Sequence, residues 1–232
     1  MLFPLIIAHR GEPGRRENTL AGFLAGIRRG AEWIELDVHL TADGKVIVHH
    51  DARIGRHSLN KLTLKEARQL ARRRKRIELP TLDEVLEAIP GKVGVNVELK
   101  DPQAGRVVVA VLARHKAVDR AICSSFHWPA VRELADLRPR VCSGILSRLR
   151  LRDPIDEIRR ARAQAIFHKY PSVDAAQVPE VRKAGFGFYV WTVNRTSALR
   201  HMIELGVDGI ITDYPERLVR LRQQQDPSSL HR

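Results

Sequence analysis

Short runs of Val, Ile, Leu and Ala of strand length alternate with amphipathic stretches of helix length from one end of the chain to the other. The pattern predicts strands at 5–8, 33–38, 94–99, 121–125, 141–146, 164–167, 187–193 and 209–212. Helices are predicted at 19–29, 105–114, 129–137, 154–163, 176–184, 197–205 and 216–222. The second strand is followed instead by an extended segment at 46–49 and two helices, 63–73 and 82–89. Asn18 is the expected N-cap of the first helix and Gly30 its stop. The strands are apolar throughout rather than alternating, which is how parallel strands covered on both faces read. Eight βα units in 232 residues predict an α/β protein, a single (β/α)8 TIM barrel, with an open doubly wound sheet as the alternative. One domain is expected over residues 1–222, with a frayed, disordered polar tail at 223–232.

Composition narrows the class. At 44% apolar residues the chain can bury a large core, which excludes disorder as its main state. Forty Lys and Arg against 27 Asp and Glu give a formal charge of +13, so anionic substrates or partners are favoured. Two cysteines are too few for a disulfide framework and read as reduced, buried thiols. The apolar opening has no basic flank and runs directly into His9-Arg10-Gly11, so it reads as a first strand rather than an export signal, and the chain as cytoplasmic. No window has the length of a membrane span.

In a barrel of this kind reactive groups belong at the C-terminal ends of the strands. Those ends carry His9 and Arg10, Glu35 and Asp37, His50 and Asp51, Glu98 and Lys100, His168, Trp191 and Asn194. Residues two apart on a strand share a face, so Glu35 with Asp37 and Glu98 with Lys100 point to the barrel axis while Leu36, Val97 and Leu99 face the helices. Three carboxylates converging in an apolar interior repel one another and are costly to bury alone. A hard divalent cation relieves both problems, and all-oxygen ligation favours Mg²⁺ or Ca²⁺. Ion pairs with some of the many arginines are the plainer alternative for any single carboxylate.

The ordered blocks His9-Arg10-Gly11, Glu17-Asn18-Thr19, Glu35-Leu36-Asp37-Val38, His50-Asp51, Val97-Glu98-Leu99-Lys100, Trp191-Thr192-Val193-Asn194 and the run from Gly206 to Pro215 resemble the glycerophosphodiester phosphodiesterases. The resemblance implies a hydrolase that releases glycerol 3-phosphate and an alcohol from small-molecule glycerophosphodiesters. By position it implies Glu35, Asp37 and Glu98 as metal ligands and His9 and His50 as the catalytic pair, with His9 assigned as base and His50 as acid. Arg10 and Lys100 fall at its phosphate contacts and Trp191 at its substrate pocket. The attacking group, water or a neighbouring glycerol hydroxyl, stays open. Members commonly carry a longer insertion after the His-Asp block, where this chain has only residues 52–61, so a more open mouth is expected. That leaves lysophospholipase D-like or cyclising phospholipase activity on lipid diesters as the alternative.

Other features read more plainly. His49 is taken as structural, and His168 as either pocket or core. Glu17 either reaches the site or balances a helix start, and Asp213 is expected to start the last helix. The basic run Arg72–Arg76 is a solvated helix end or a peripheral contact with anionic membrane. Nucleic-acid binding lacks both aromatics, at 5%, and any recognisable motif. A phosphodiester-binding module without turnover is the non-enzymatic reading. Oligomeric state is not legible.

Overall fold

The computed structural model describes residues 3–75 and 79–225. Eight parallel strands are β1 (Leu5–Ala8), β2 (Trp33–Leu40), β3 (Gly94–Leu99), β4 (Ala121–Ser125), β5 (Cys142–Ser147), β6 (Ala165–Lys169), β7 (Gly187–Trp191) and β8 (Gly209–Thr212). Each pairs with the next, and β1 pairs with both β8 (Leu5↔Gly209) and β2 (Ile7↔Trp33), which closes the barrel. The helices are α1 (Leu20–Arg28), α2 (Leu64–Lys75), α3 (Leu82–Ala88), α4 (Gly105–Arg114), α5 (Trp128–Leu134), α6 (Pro154–Arg160), α7 (Gln177–Lys183), α8 (Thr196–Glu204) and α9 (Pro215–Gln225). The barrel stands in place of the open sheet, as the alternation predicts.

Strand parity sorts the side chains into two layers. One parity lines the interior with Ile7, Ile122, Leu146, Phe167 and Ile211, joined by Trp33, Tyr189 and Trp191. The other packs outward, with Leu36, Val97 and Leu99 among the residues of α3 and α4, and Phe188, Val190 and Ile210 against α7, α8 and α9. The lower interior is filled by three large rings that need room beside them. A Cβ at Gly94 would meet the Trp33 indole at 2.1 Å, so only glycine fits that register.

Several boundaries differ from expectation for local reasons. β2 runs on to Leu40 because Val38–Leu40 pairs antiparallel with a short strand, Val46–Val48, forming a ribbon that lifts out of the barrel. Thr19, not Asn18, caps α1, accepting from the Gly22 N–H at 3.1 Å. Asn18 sits at φ +56° with its side chain turned inward. Gln223–Gln225, expected to be frayed, forms the last turn of α9. The rest of the expected tail, 226–232, lies outside the described residues. Residues 52–61 form a two-stranded turn, Arg53–Ile54 with His57–Ser58, whose Ile54 and Leu59 anchor on Ile47, Ala67, Ala71 and Leu79. Arg72 and Arg73 are exposed on α2, and Arg76 is outside the described residues.

Candidate active site

Inward parity brings the predicted strand-end residues together at the barrel mouth. His9, Arg10, Glu35, His50, Glu98, Lys100 and Trp191 line one cavity of about 100 Å³, with Asn96, Ser124, Phe126 and Arg148 completing its wall. Asp37 lies beneath them, fully buried.

Glu35, Asp37 and Glu98 each offer a carboxylate oxygen within 4.8 Å of the other two. Lys100 Nζ lies 2.6 Å from Glu98 Oε1 and 3.2 Å from Asp37 Oδ1, and Arg10 Nε lies 3.1 Å from Asp37 Oδ2. Asn18 Nδ2 donates to Asp37 Oδ2 at 2.8 Å, and the Arg10 backbone N–H donates to Glu35 Oε2 at 3.0 Å. Burial, reinforced by Asp37, pushes Glu35 up to about 8 and Glu98 up to about 7. Burial acts the same way on Asp37, but Lys100 and Arg10 outweigh it and hold that carboxyl below its ordinary value. Two cations therefore do not neutralise three acids. Asp37 Oδ1 and Glu98 Oε1 stay buried, ion-paired to Lys100 but without a hydrogen bond of normal geometry. An all-oxygen donor set with unmet acceptors, whose carboxyls resist ionising for want of further positive charge, fits a hard divalent cation.

The two histidines flank this cluster. His9 Nδ1–H donates to Asp213 Oδ1 at 2.8 Å. Asp213 is itself fixed, its Oδ2 accepting from Asn194 Nδ2 at 2.6 Å and its N–H donating to Asn194 Oδ1 at 2.9 Å. Burial works against charging His9, but the Asp213 hydrogen bond and the negative charge of Glu35 raise its proton affinity above that of a free imidazole. His50 Nδ1–H donates to Asp51 Oδ1 at 2.9 Å, at the edge of an open groove of about 600 Å³ bounded by His39, Arg53, Gly55 and Lys100. The short segment after Asp51 leaves this groove uncovered, in keeping with the expected open mouth.

Some residues go elsewhere. His168 has the outward parity of β6 and is buried, its ring parallel to Phe188 at 6.1 Å, so it belongs to the core and not the pocket. Glu17 reaches the rim, 3.3 Å from Arg10. His49 donates its backbone N–H to the Asp37 carbonyl. The sequence reading missed Asp213 as the partner of His9, since a helix start explained it, and missed Phe126 and Arg148 altogether. Both of the latter directly follow strands, so the rule that found the other residues would have found them.

Residues 9–217 match the model of the glycerophosphoryl diester phosphodiesterase family. A glycerophosphodiester phosphodiesterase of Caldanaerobacter subterraneus is 34% identical over 94% of this chain and 97% of its own length. An Oleispira antarctica phosphodiesterase, solved with its product sn-glycerol-3-phosphate, superposes with a TM-score of 0.85 at 26% identity, covering 95% of this chain and 97% of that one. The glycerophosphodiester phosphodiesterase of Thermotoga maritima gives 0.79 at 27% identity over 96% of this chain and all of that one. Matched by that family's model from His9 to Arg217, and by a relative 34% identical along nearly all of both chains, the protein belongs to the glycerophosphoryl diester phosphodiesterase family of enzymes.

Proposed function

We propose that this enzyme hydrolyses glycerophosphodiesters to glycerol 3-phosphate and an alcohol, with Glu35, Asp37 and Glu98 holding a divalent cation, Mg²⁺ or Ca²⁺. The observation that carries the reading is the convergence, on one cavity, of two carboxylate-backed imidazoles, a buried acidic triad and two cations. The cation, when bound, supplies charge neutralisation to the phosphoryl oxygens. Arg10 and Lys100 add fixed positive charge at the same place. Both side chains keep their protons: burial opposes the charge, but the carboxylates beside them, Asp37 foremost, more than compensate. His9 Nε2 takes the proton of the attacking oxygen as its bond to phosphorus forms, and Asp213 stabilises the resulting imidazolium; where that oxygen is the neighbouring glycerol hydroxyl, water then opens the cyclic phosphate in a second displacement. His50 Nε2 gives a proton to the departing alkoxide as its bond to phosphorus breaks. The place of His50 at the open groove, where the leaving alcohol has room, supports its assignment as acid.

The test is release of glycerol 3-phosphate from glycerophosphodiesters by metal-stripped protein, before and after resupply of Mg²⁺ or Ca²⁺. Release that returns only with metal, and is lost in Glu98→Gln, is the expected result. Undiminished release after chelation, in both proteins, contradicts the metal role.

A further inference from the structure

Above the carboxylates the cavity wall is aromatic. Phe126 and Trp191 meet edge to face, with ring centroids 5.6 Å apart at 81°. Adjacent aromatic faces beside a phosphate site are the arrangement that receives a quaternary ammonium. In this chain the Phe126 face is already taken. The Arg148 guanidinium carbon lies 4.2 Å from its centroid, and Lys100 Nζ lies 5.9 Å from it.

Arg148 differs from the other cations of the cavity. Arg10 and Lys100 face the buried acids. Among the described residues, the Arg148 side chain makes no ion pair, whereas its neighbour Arg150 is paired with Asp174. It is exposed at the rim, so its charge is uncompensated and its donors are available. Arg53, also exposed, adds a like charge on the groove side.

We propose that Arg148, stacked on Phe126, is a specificity-determining residue that turns the site away from cationic alcohols. The preferred substrates then carry a neutral polyol or an anionic alcohol rather than choline or ethanolamine. The proposal rests on the glycerophosphodiesterase reading above. Two effects act in one direction: the ring face a cation would use is filled, and a cation entering the mouth meets uncompensated positive charge. Hydroxyls and carboxylates instead find free guanidinium donors.

The experiment compares kcat/KM for glycerophosphoglycerol, glycerophosphoserine and glycerophosphocholine in the wild type, Arg148→Met and Arg148→Lys, with glycerol 3-phosphate release as the readout. The wild type is expected to favour glycerophosphoglycerol over glycerophosphocholine by about tenfold, the size of one such charge contact. Arg148→Met brings that ratio close to one, chiefly through KM for the choline ester, and Arg148→Lys keeps most of it. In the wild type the preference also shrinks as salt is raised, which tests the charge without any substitution. Equal or better turnover of the choline ester by the wild type overturns the proposal while leaving the diesterase reading intact. A preference unmoved by both Arg148→Met and salt does the same. Failure to release glycerol 3-phosphate from any of the three overturns the diesterase reading and this proposal with it.

Discussion

The His9 and His50 sides of the mouth contain the same pair of groups in different surroundings. Each imidazole donates Nδ1–H to a carboxylate at 2.8 or 2.9 Å. On the first side the two side chains are 22% and 20% exposed, at the seam where β8 closes onto β1, and Asp213 is pinned by Asn194. On the second side they are 40% and 57% exposed, beyond the antiparallel ribbon and beside an open groove. The distance between donor and acceptor is therefore a poor guide to what a carboxylate does for a histidine. Burial and a third, fixing residue turn the same contact into a frame.

Removing the rings is expected to have the largest effect and to leave the two sides alike. His9→Ala and His50→Ala should each lower kcat by about 10²- to 10⁴-fold, the range for loss of a general acid or base, with the fold retained by circular dichroism. A loss below tenfold in either would remove that histidine from the chemistry. The carboxylates should then separate the two sides. Asp213→Asn is expected to cost about 10- to 100-fold in kcat, the range for losing an outer carboxylate that orients a functional imidazole, and Asp51→Asn less than tenfold. Equal losses would mean that burial and the Asn194 contact contribute nothing.

The pH profile sharpens the contrast further. His9 must be neutral to act as base, so kcat/KM rises with pH through its titration. Asp213 raises the proton affinity of His9, so in Asp213→Asn the rise should begin at lower pH, whereas Asp51→Asn leaves that limb in place. An unmoved limb in Asp213→Asn would detach the acidic side of the profile from His9.

The smallest effect concerns a histidine that serves neither side. His168 is buried, and burial lowers its proton affinity more than the Lys169 carbonyl restores it. The unfolded chain thus binds a proton near pH 6.5 that the folded chain refuses, and stability contributed by neutral His168 is lost as pH falls below that point. His168→Leu should leave kcat/KM within twofold and remove part of the acid-side fall in Tm. A large loss of turnover would return His168 to the site.

Much of this was legible because strand parity is a strict rule. The two-residue spacing in Glu35-Leu36-Asp37 and Glu98-Leu99-Lys100 placed the charged groups on the axis and the leucines under the helices, as found. Where one residue had two physical explanations, the local one hid the distant one. Asn18 read as a helix cap and Asp213 as a helix start, yet their side chains reach 19 and 204 residues away, to Asp37 and His9. Such contacts are set by barrel closure, which no local window contains. Phe126 and Arg148 were missed for a different reason: each directly follows a strand, β4 and β5, as the other site residues do, but a lone aromatic and one arginine among many do not stand out by residue type.

In the function proposed above, the buried triad of Glu35, Asp37 and Glu98 holds a divalent cation. That site can be read by calorimetric titration of metal-free protein with Mg²⁺ or Ca²⁺ in buffers of different ionisation enthalpy, between pH 6 and pH 9. With Glu35 near 8 and Glu98 near 7 in the metal-free state, both carboxyls carry protons at pH 6 and must lose them to ligate. One cation should bind per chain, with proton release that is largest at pH 6 and fades by pH 9, and none should bind to Asp37→Asn. Binding without proton release at pH 6, or binding that survives in Asp37→Asn, would mean that these carboxyls are not the ligands.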